Sequence, residues 1–294
     1  MLIPLRIFAA GAMLIAALGV GVRSWASAPV ERAYGSDPRQ RLDFYPAEGG
    51  DAPLIVFVHG GGWSAGDKRM ASGEKPDHFV ARGFAFASVN YRLVPDVGVA
   101  DQAADVASAI AWLQREAPRL GVDPRRIVLM GHSAGAHLAA LIATDPAYLR
   151  DAGARFETVR GAILLDGAGY DIAERMRDAG PFERRLYERA FGTDPAQWRQ
   201  LSPATHAAAP NAAGWLLLHV RDRIESQQQA DALAVMLREA GNTAIVDGFD
   251  TSHGRLNRDL GTEGDRATAV VDAFLDSCVD RNPSEIMGVC TPRR

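Results

Sequence analysis

Ile127-Val-Leu-Met-Gly-His-Ser-Ala-Gly-Ala-His-Leu138 is the stretch of sequence that decides the fold. It begins with an apolar run typical of a strand buried on both faces. The residues after Gly135 are mostly Ala and Leu, which favour a helix. A strand that runs directly into a helix must turn sharply, and Gly131 and Gly135 flank Ser133 where larger side chains would collide. The stretch therefore predicts a strand, a tight turn and a helix, with the Ser133 hydroxyl held out at the turn.

Strand-type and helix-type segments alternate along the rest of the chain. Apolar runs typical of strands occur at 54–58, 84–91, 159–165, 215–220 and 244–249. Helical segments lie among these runs, at 99–116, 226–240 and 267–279. The alternation predicts an α/β fold with a mostly parallel central sheet of about eight strands and helices on both faces.

One segment interrupts this alternation. Residues 171–200 are rich in Arg and Glu and carry several aromatic side chains, which predicts a mostly helical insertion that forms a small cap. With this insertion, residues 29–294 are predicted to form one domain. The composition is 47% hydrophobic with a net charge of −4, which is typical of a globular protein. No basic stripe is present, so the sequence does not indicate a nucleic-acid partner.

Three residues that follow predicted strands have side chains suited to nucleophilic catalysis. Ser133 needs a base to take its proton and a carboxylate to orient that base. His253, in a loop after the last predicted strand, is the predicted base. Asp222 directly follows the penultimate strand and is the predicted acid, while Asp166, one strand earlier, is the competing candidate. Because the carboxyl ends of parallel strands share one edge of a sheet, we expect these residues to converge there.

A glycine-rich loop follows the buried run at 54–58. In His59-Gly-Gly-Gly-Trp63, glycine lets the backbone approach a substrate closely and turn its N–H groups inward. Gly61 and Gly62 are the predicted donors to an oxyanion, and the amide of Ala134, the residue after the nucleophile, is the third.

Residues 1–28 have the pattern of an export signal. Met1–Arg6 carries one positive charge, residues 7–22 are apolar and uncharged, and small residues follow at Ala26 and Ala28. This pattern predicts an exported protein, periplasmic or secreted. The apolar run is also close to the length that spans a bilayer, so an uncleaved N-terminal anchor is the alternative.

The two cysteines, Cys278 and Cys290, lie close together near the C-terminus. In an exported protein such a pair can form a disulfide that closes a short loop. We therefore expect a Cys278–Cys290 bridge, with two free thiols as the alternative.

Four short motifs together resemble one family of enzymes. They are His59-Gly-Gly-Gly-Trp63, Asn90-Tyr-Arg-Leu93, Gly131-His-Ser-Ala-Gly-Ala-His-Leu138 and Ser252-His-Gly254. They resemble the α/β-hydrolase carboxylesterases, in particular the hormone-sensitive-lipase-like and the arylformamidase (kynurenine formamidase)-like esterases, over residues 40–277. The segment Arg221-Asp-Arg-Ile-Glu225 departs from the family because it lacks the Val-Pro pair that often follows the acid.

The resemblance implies a serine hydrolase that cleaves carboxylic esters of small or aryl substrates, without metal or cofactor, through an acyl-enzyme on Ser133. A feruloyl or similar aryl ester suits an exported protein. An arylformamidase acting on N-formylkynurenine is the alternative enzyme. A hydrolase-fold protein that binds a partner without catalysis is the alternative of a different class. The sequence leaves the oligomeric state open.

Overall fold

One eight-stranded sheet forms the centre of the protein. The computed structural model describes residues 28–71, 73–208 and 210–278, with the exception of the Cys278 side chain. The strand order is β1-β2-β4-β3-β5-β6-β7-β8. The strands are β1 (Val30–Ala33), β2 (Arg41–Tyr45), β3 (Ala52–Val58), β4 (Ala85–Val89), β5 (Val122–His132), β6 (Val159–Leu165), β7 (Gly214–Val220) and β8 (Thr243–Phe249).

The sheet is parallel from β4 through β8. Only β2 and the exposed edge strand β1 run antiparallel to their neighbours. Parallel strands need crossover connections, and helices supply most of them. The predicted mostly parallel sheet of about eight strands is confirmed, and the carboxyl ends of β3 and β5 to β8 share one edge.

Eleven α-helices are found in the described part of the chain. They are α1 (Lys75–Ala81), α2 (Val99–Leu120), α3 (Ala134–Thr144), α4 (Pro146–Asp151), α5 (Ile172–Asp178), α6 (Pro181–Phe191), α7 (Pro195–Gln200), α8 (Pro203–His206), α9 (Ile224–Glu239), α10 (His253–Arg258) and α11 (Arg266–Cys278). Within these ranges, no helix is long and apolar enough to span a membrane. Helices α5 to α7 occupy the segment 171–200.

Two hydrophobic cores lie on opposite faces of the sheet. Successive side chains of β3 alternate between them, with Leu54, Val56 and Val58 in one core and Ile55 and Phe57 in the other. The first core includes residues of α2, α3 and α9, and the second includes residues of α1, α10 and α11. Helices on both faces were predicted from the alternation of strands and helices, and the two cores confirm them.

At two positions around the turn after β5, the packing is too close for any residue larger than glycine. A Cβ atom on Gly131 would meet the backbone carbonyl of Gly135, and one on Gly135 would meet the carbonyls of Val58 and His59. These neighbours are backbone atoms of α3 and of the end of β3, and they cannot move away at low cost. The glycines therefore allow α3 to leave β5 against the end of β3.

Gly135→Ala is expected to lower the free energy of unfolding by about 1–3 kcal/mol because its Cβ overpacks the end of β3. Gly254→Ala is the matched control, since a Cβ there meets nothing within 4 Å, and its effect should stay within about 0.5 kcal/mol. Urea denaturation of the two variants and the wild type measures both values. Equal stability of Gly135→Ala and Gly254→Ala would contradict the packing argument.

Candidate active site

Ser133 lies at the turn between β5 and α3 in a left-handed backbone conformation, with φ of 56°. Such a conformation costs a non-glycine residue about 1–3 kcal/mol. Hydrogen bonds on both sides hold it: the Ser133 amide donates to the Leu165 carbonyl at 3.0 Å, and the Ser133 carbonyl accepts from the Ala136 amide at 3.0 Å. Ser133 is partly exposed, whereas its neighbours in the turn are buried. The turn thus presents the hydroxyl at the carboxyl edge of the sheet.

His253 is held by a buried carboxylate at the same edge. Its Nδ1 atom lies 2.6 Å from Oδ2 of Asp166, which follows β6 and is 1% exposed. The other carboxylate oxygen of Asp166 accepts a hydrogen bond from the Val220 amide at 3.0 Å. Burial alone would raise the pKa of Asp166, but the hydrogen bonds from His253 and Val220 and the charge of Arg223 hold it well below its usual range. Asp166 is therefore ionised.

The structure pairs His253 with Asp166 and not with the predicted acid Asp222, which corrects that assignment. β7 ends at Val220, and the Arg221 amide is bound to the Phe249 carbonyl at 3.0 Å. The chain turns outward there, so the side chain of Asp222 is exposed to solvent. The next residue, Arg223, points back instead, with Nη1 2.6 Å from Oδ2 of Asp166.

His132 contacts both the ring and the backbone of His253. Its ring centroid is 4.5 Å from that of His253, and its Nε2–H donates to the His253 carbonyl at 2.9 Å. Burial lowers the pKa of His132 to about 3, so its ring is neutral. Because His132 directly precedes Ser133, this contact also brings the ends of β5 and β8 together.

The glycine loop lies against the serine turn. A Cβ atom on Gly60 would be 2.9 Å from Cβ of Ser133. Gly61 and Gly62 have φ values of 125° and 57°, which favour glycine. No described residue accepts a hydrogen bond from the amides of Gly61 or Gly62. Ala134 is the first residue of α3, where backbone amides lack partners within the helix. These three amides thus have no acceptor among the described residues, and they belong to the loop and the helix that adjoin Ser133.

An aromatic cluster fastens the inserted helices to the glycine loop. Trp63 packs edge-on against Tyr187 and Phe191 of α6, with ring centroids 5.4 and 4.7 Å apart. Its Nε1–H donates to Nδ1 of His137 at 3.3 Å, and Nε2 of His137 donates to the Leu201 carbonyl at 2.8 Å. Burial lowers the pKa of His137 to about 4, which agrees with a neutral ring that both accepts and donates. The chain of bonds joins the loop, α3 and the end of the insertion.

A buried lysine supports the helix that begins with His253. Nζ of Lys75 donates to the backbone and side-chain oxygens of Asn257, both at 2.7 Å, and lies 4.7 Å from the ring centroid of Phe57. Lys75 is fully buried, and burial lowers its pKa to about 7. A neutral amine carries two N–H bonds, which match the two acceptors on Asn257. No pattern in the sequence indicates the burial of Lys75, because a lysine at the start of a short helix is usually solvated.

No group of three or more His, Cys, Asp or Glu side chains in the described ranges is placed to hold a metal ion. The expected Cys278–Cys290 bridge and the export signal at 1–28 fall outside the described residues, apart from Ala28 and the backbone of Cys278. They stay predictions.

The stability contributed by position 75 is expected to depend on pH. Between the folded pKa of Lys75, about 7, and its ordinary pKa of 10.5, the unfolded chain binds the proton and the folded chain does not. The free energy of unfolding of the wild type should therefore rise with pH across this window, by about 1.4 kcal/mol per pH unit relative to Lys75→Met. Denaturant titrations of both proteins between about pH 6 and pH 10 measure the difference. A difference that does not change with pH would contradict the buried, titrating amine.

Comparisons with known proteins agree with this architecture. A model of the BD-FAE family matches residues 42–237. Esterase LipC of Mycobacterium tuberculosis is 30% identical over 226 residues, which cover 72% of this chain and 55% of LipC. The probable carboxylic ester hydrolase LipM of the same organism is 31% identical over 207 residues, which cover 67% of this chain and 47% of LipM. The chain thus spans about half the length of these curated relatives.

Solved esterase structures share the fold. A thermophilic esterase of Thermogutta terrifontis, Est2 with butyrate bound, superposes with a TM-score of 0.68 at 28% identity over 89% of this chain and 98% of the other. Esterase B of Lactobacillus rhamnosis, at 20% identity and 86% coverage of both chains, gives a TM-score of 0.70 and supports the fold alone. The predicted α/β-hydrolase fold is confirmed. The family match covers most of the sheet, the serine turn and the glycine loop, and the chain belongs to the BD-FAE family.

Proposed function

We propose that this protein is a serine hydrolase that cleaves carboxylic esters of small or aryl substrates through an acyl-enzyme intermediate. The observation that carries the proposal is the pairing of His253 with the buried, ionised Asp166, 2.6 Å apart, at the sheet edge where the Ser133 turn lies. An ionised carboxylate beside Nδ1 favours the tautomer of His253 with the proton on Nδ1, and in that tautomer Nε2 is free to accept the proton of a serine hydroxyl.

The reaction follows from these positions. Nε2 of His253 takes the proton of Ser133 Oγ as that oxygen attacks the ester carbonyl carbon. The tetrahedral intermediate collapses, the C–O bond to the alcohol breaks, and His253 returns the proton to the leaving alkoxide. A water molecule, deprotonated by His253, then attacks the acyl-enzyme and releases the carboxylic acid together with free Ser133.

The oxyanion formed in both steps needs donors that are already in place. The amides of Gly61, Gly62 and Ala134 suit this role because the glycine loop and the start of α3 adjoin Ser133 and no described residue accepts a hydrogen bond from these amides. The Ala134 amide also lies at the positive end of the α3 dipole. A single donor of this kind lowers a barrier by about 3 kcal/mol.

The insertion supports a substrate with a small or flat group near the glycine loop. Leu186 of α6 reaches over Gly62, with Cδ1 3.1 Å from where a Cβ atom on that glycine would be. Structures of Est2 carry butyrate and propionate, which are short carboxylates. The named relatives are esterases and ester hydrolases, which favours an ester over the formamide of an arylformamidase and over a non-catalytic binding protein.

Three variants test the site on p-nitrophenyl esters of graded chain length. Ser133→Ala should lower kcat by about 10⁶-fold because the nucleophile is removed. Asp166→Asn should lower kcat by about 10⁴-fold because an amide no longer holds the productive tautomer of His253. Asp222→Asn is the control, and its kcat should stay within about twofold because an exposed carboxylate is screened by solvent.

Equal turnover by wild type and Ser133→Ala would refute the proposed reaction. A large loss of kcat in Asp222→Asn with full activity in Asp166→Asn would identify Asp222 as the acid, and the assignment of Ser133 as the nucleophile would not change. A fluorophosphonate probe, which labels activated serines, gives an independent reading of Ser133 in the folded protein.

We propose further that the protein is exported and that its cysteines are bridged. The charge and hydropathy pattern of residues 1–28 supports export, and an oxidising compartment favours the Cys278–Cys290 disulfide. The mature protein recovered from outside the cytoplasm should begin at Ser27 or Pro29 and should show no titratable thiol when denatured without reductant. A chain that keeps Met1 in the membrane fraction would favour the anchor, and two titratable thiols would rule out the bridge.

A further inference from the structure

Arg223 contacts both the acid and the base of the proposed site. Its Nη1 atom lies 2.6 Å from Oδ2 of Asp166 and 2.6 Å from Nδ1 of His253. Because Oδ2 and Nδ1 are themselves 2.6 Å apart, the three atoms form a triangle with equal sides. The Arg223 side chain is 30% exposed, and its Nε–H donates to Oε1 of Glu225 at 3.1 Å.

The three contacts of this triangle cannot all be hydrogen bonds at once. A guanidinium group only donates, an ionised carboxylate only accepts, and a neutral imidazole nitrogen does one or the other according to its tautomer. When Nδ1 carries the proton, it donates to Asp166, and Arg223 donates to Asp166 alone. When Nδ1 is bare, it accepts from Nη1 of Arg223, and the proton of the ring sits on Nε2.

The two arrangements differ in what they can do for Ser133. With the proton on Nδ1, the lone pair of Nε2 is free to take the hydroxyl proton. With the proton on Nε2, His253 can only donate toward the substrate side and cannot act as the base. This distinction rests on the proposed function, in which Ser133 is the nucleophile.

We propose that Arg223 is a positioning residue that competes with Asp166 for Nδ1 of His253 and so sets the fraction of the enzyme that holds the productive tautomer. The turnover rate is then proportional to that fraction, whereas the binding of a neutral ester is not affected. Glu225 accepts a hydrogen bond from Nε–H of the same guanidinium at 3.1 Å. Asp166 and Arg223 are the charged side chains in contact with Nδ1, and His132, the other ring beside His253, is neutral.

The test compares the wild type with Arg223→Met, which removes the donors and keeps an extended side chain. The free proteins carry ¹⁵N-labelled imidazole, and His253 is assigned with a His253→Asn sample. At about pH 8, where an ordinary imidazole is neutral, the ¹⁵N shifts of Nδ1 and Nε2 report the tautomer ratio. We expect a mixture in the wild type and almost only the Nδ1–H form in Arg223→Met. The value of kcat should rise by the ratio of the two Nδ1–H fractions, with KM unchanged.

Two further variants complete the design. Asp222→Asn, the exposed neighbour in sequence, should leave both the tautomer ratio and kcat at wild-type values. Arg223→Gln keeps polarity at this half-buried position but removes the charge, and it should change the tautomer ratio in the same direction as Arg223→Met. If Arg223→Met folds poorly, Arg223→Gln takes its place in the comparison.

Two outcomes would overturn the proposal. One is a wild-type His253 that is already entirely in the Nδ1–H form. The other is a tautomer ratio that stays the same in Arg223→Met and Arg223→Gln, whether or not kcat falls, because Arg223 would then only brace Asp166. The NMR measurement does not depend on turnover. A further result is a wild type that hydrolyses no ester while the tautomer ratio still differs between the wild type and Arg223→Met. That result would contradict the proposed function and would still support the role of Arg223.

Discussion

The hydrogen bond between Asp166 and His253 is the interaction on which the edge of this sheet depends. Asp166 is almost fully buried, and an ionised carboxylate in that position is tolerated only when each oxygen is bound. Its partners come from different parts of the chain: the Val220 amide at the end of β7, Arg223 just beyond it and His253 after β8. The Asp166 amide also donates to the Leu218 carbonyl at 2.7 Å. One carboxylate therefore ties the ends of β6, β7 and β8 together.

The remaining contacts around His253 fix the ring from other directions. His132 binds its carbonyl from the end of β5, and Lys75 holds Asn257 one turn further along α10. Both supporting groups are buried, and burial favours their neutral forms. The position of His253 is therefore set by buried groups on β5 and α1 and not by a single flexible loop. This matters because a base must keep one orientation while its own protonation changes during a reaction.

Several features of the fold and site were predictable from the sequence because their signals are local. The apolar runs predicted the strands, the paired glycines predicted the close turn at Ser133, and the glycine loop after β3 was visible as a motif. The choice between Asp166 and Asp222 was not local, since both follow a strand directly. The choice depends on the left-handed backbone at Asp166, with φ of 47°, and on the Arg223 side chain, which points toward Asp166. The burial of Lys75 depends on contacts with Asn257, which is distant in sequence, so no pattern near Lys75 indicated it.

The two faces of helix α6 have different roles: one holds the helix in place, and the other is free to vary in sequence. Its inner face, with Tyr187 and Phe191, is packed against Trp63 and keeps the insertion in place. Its outer face includes Phe182, which is 85% exposed, and Leu186, which is 36% exposed. Residues at these outer positions contribute little to the core, so they can change without loss of the fold. Changes at these positions can therefore reshape the surface of α6 at nearly constant stability, and at Leu186 such a change lies directly over Gly62 of the glycine loop.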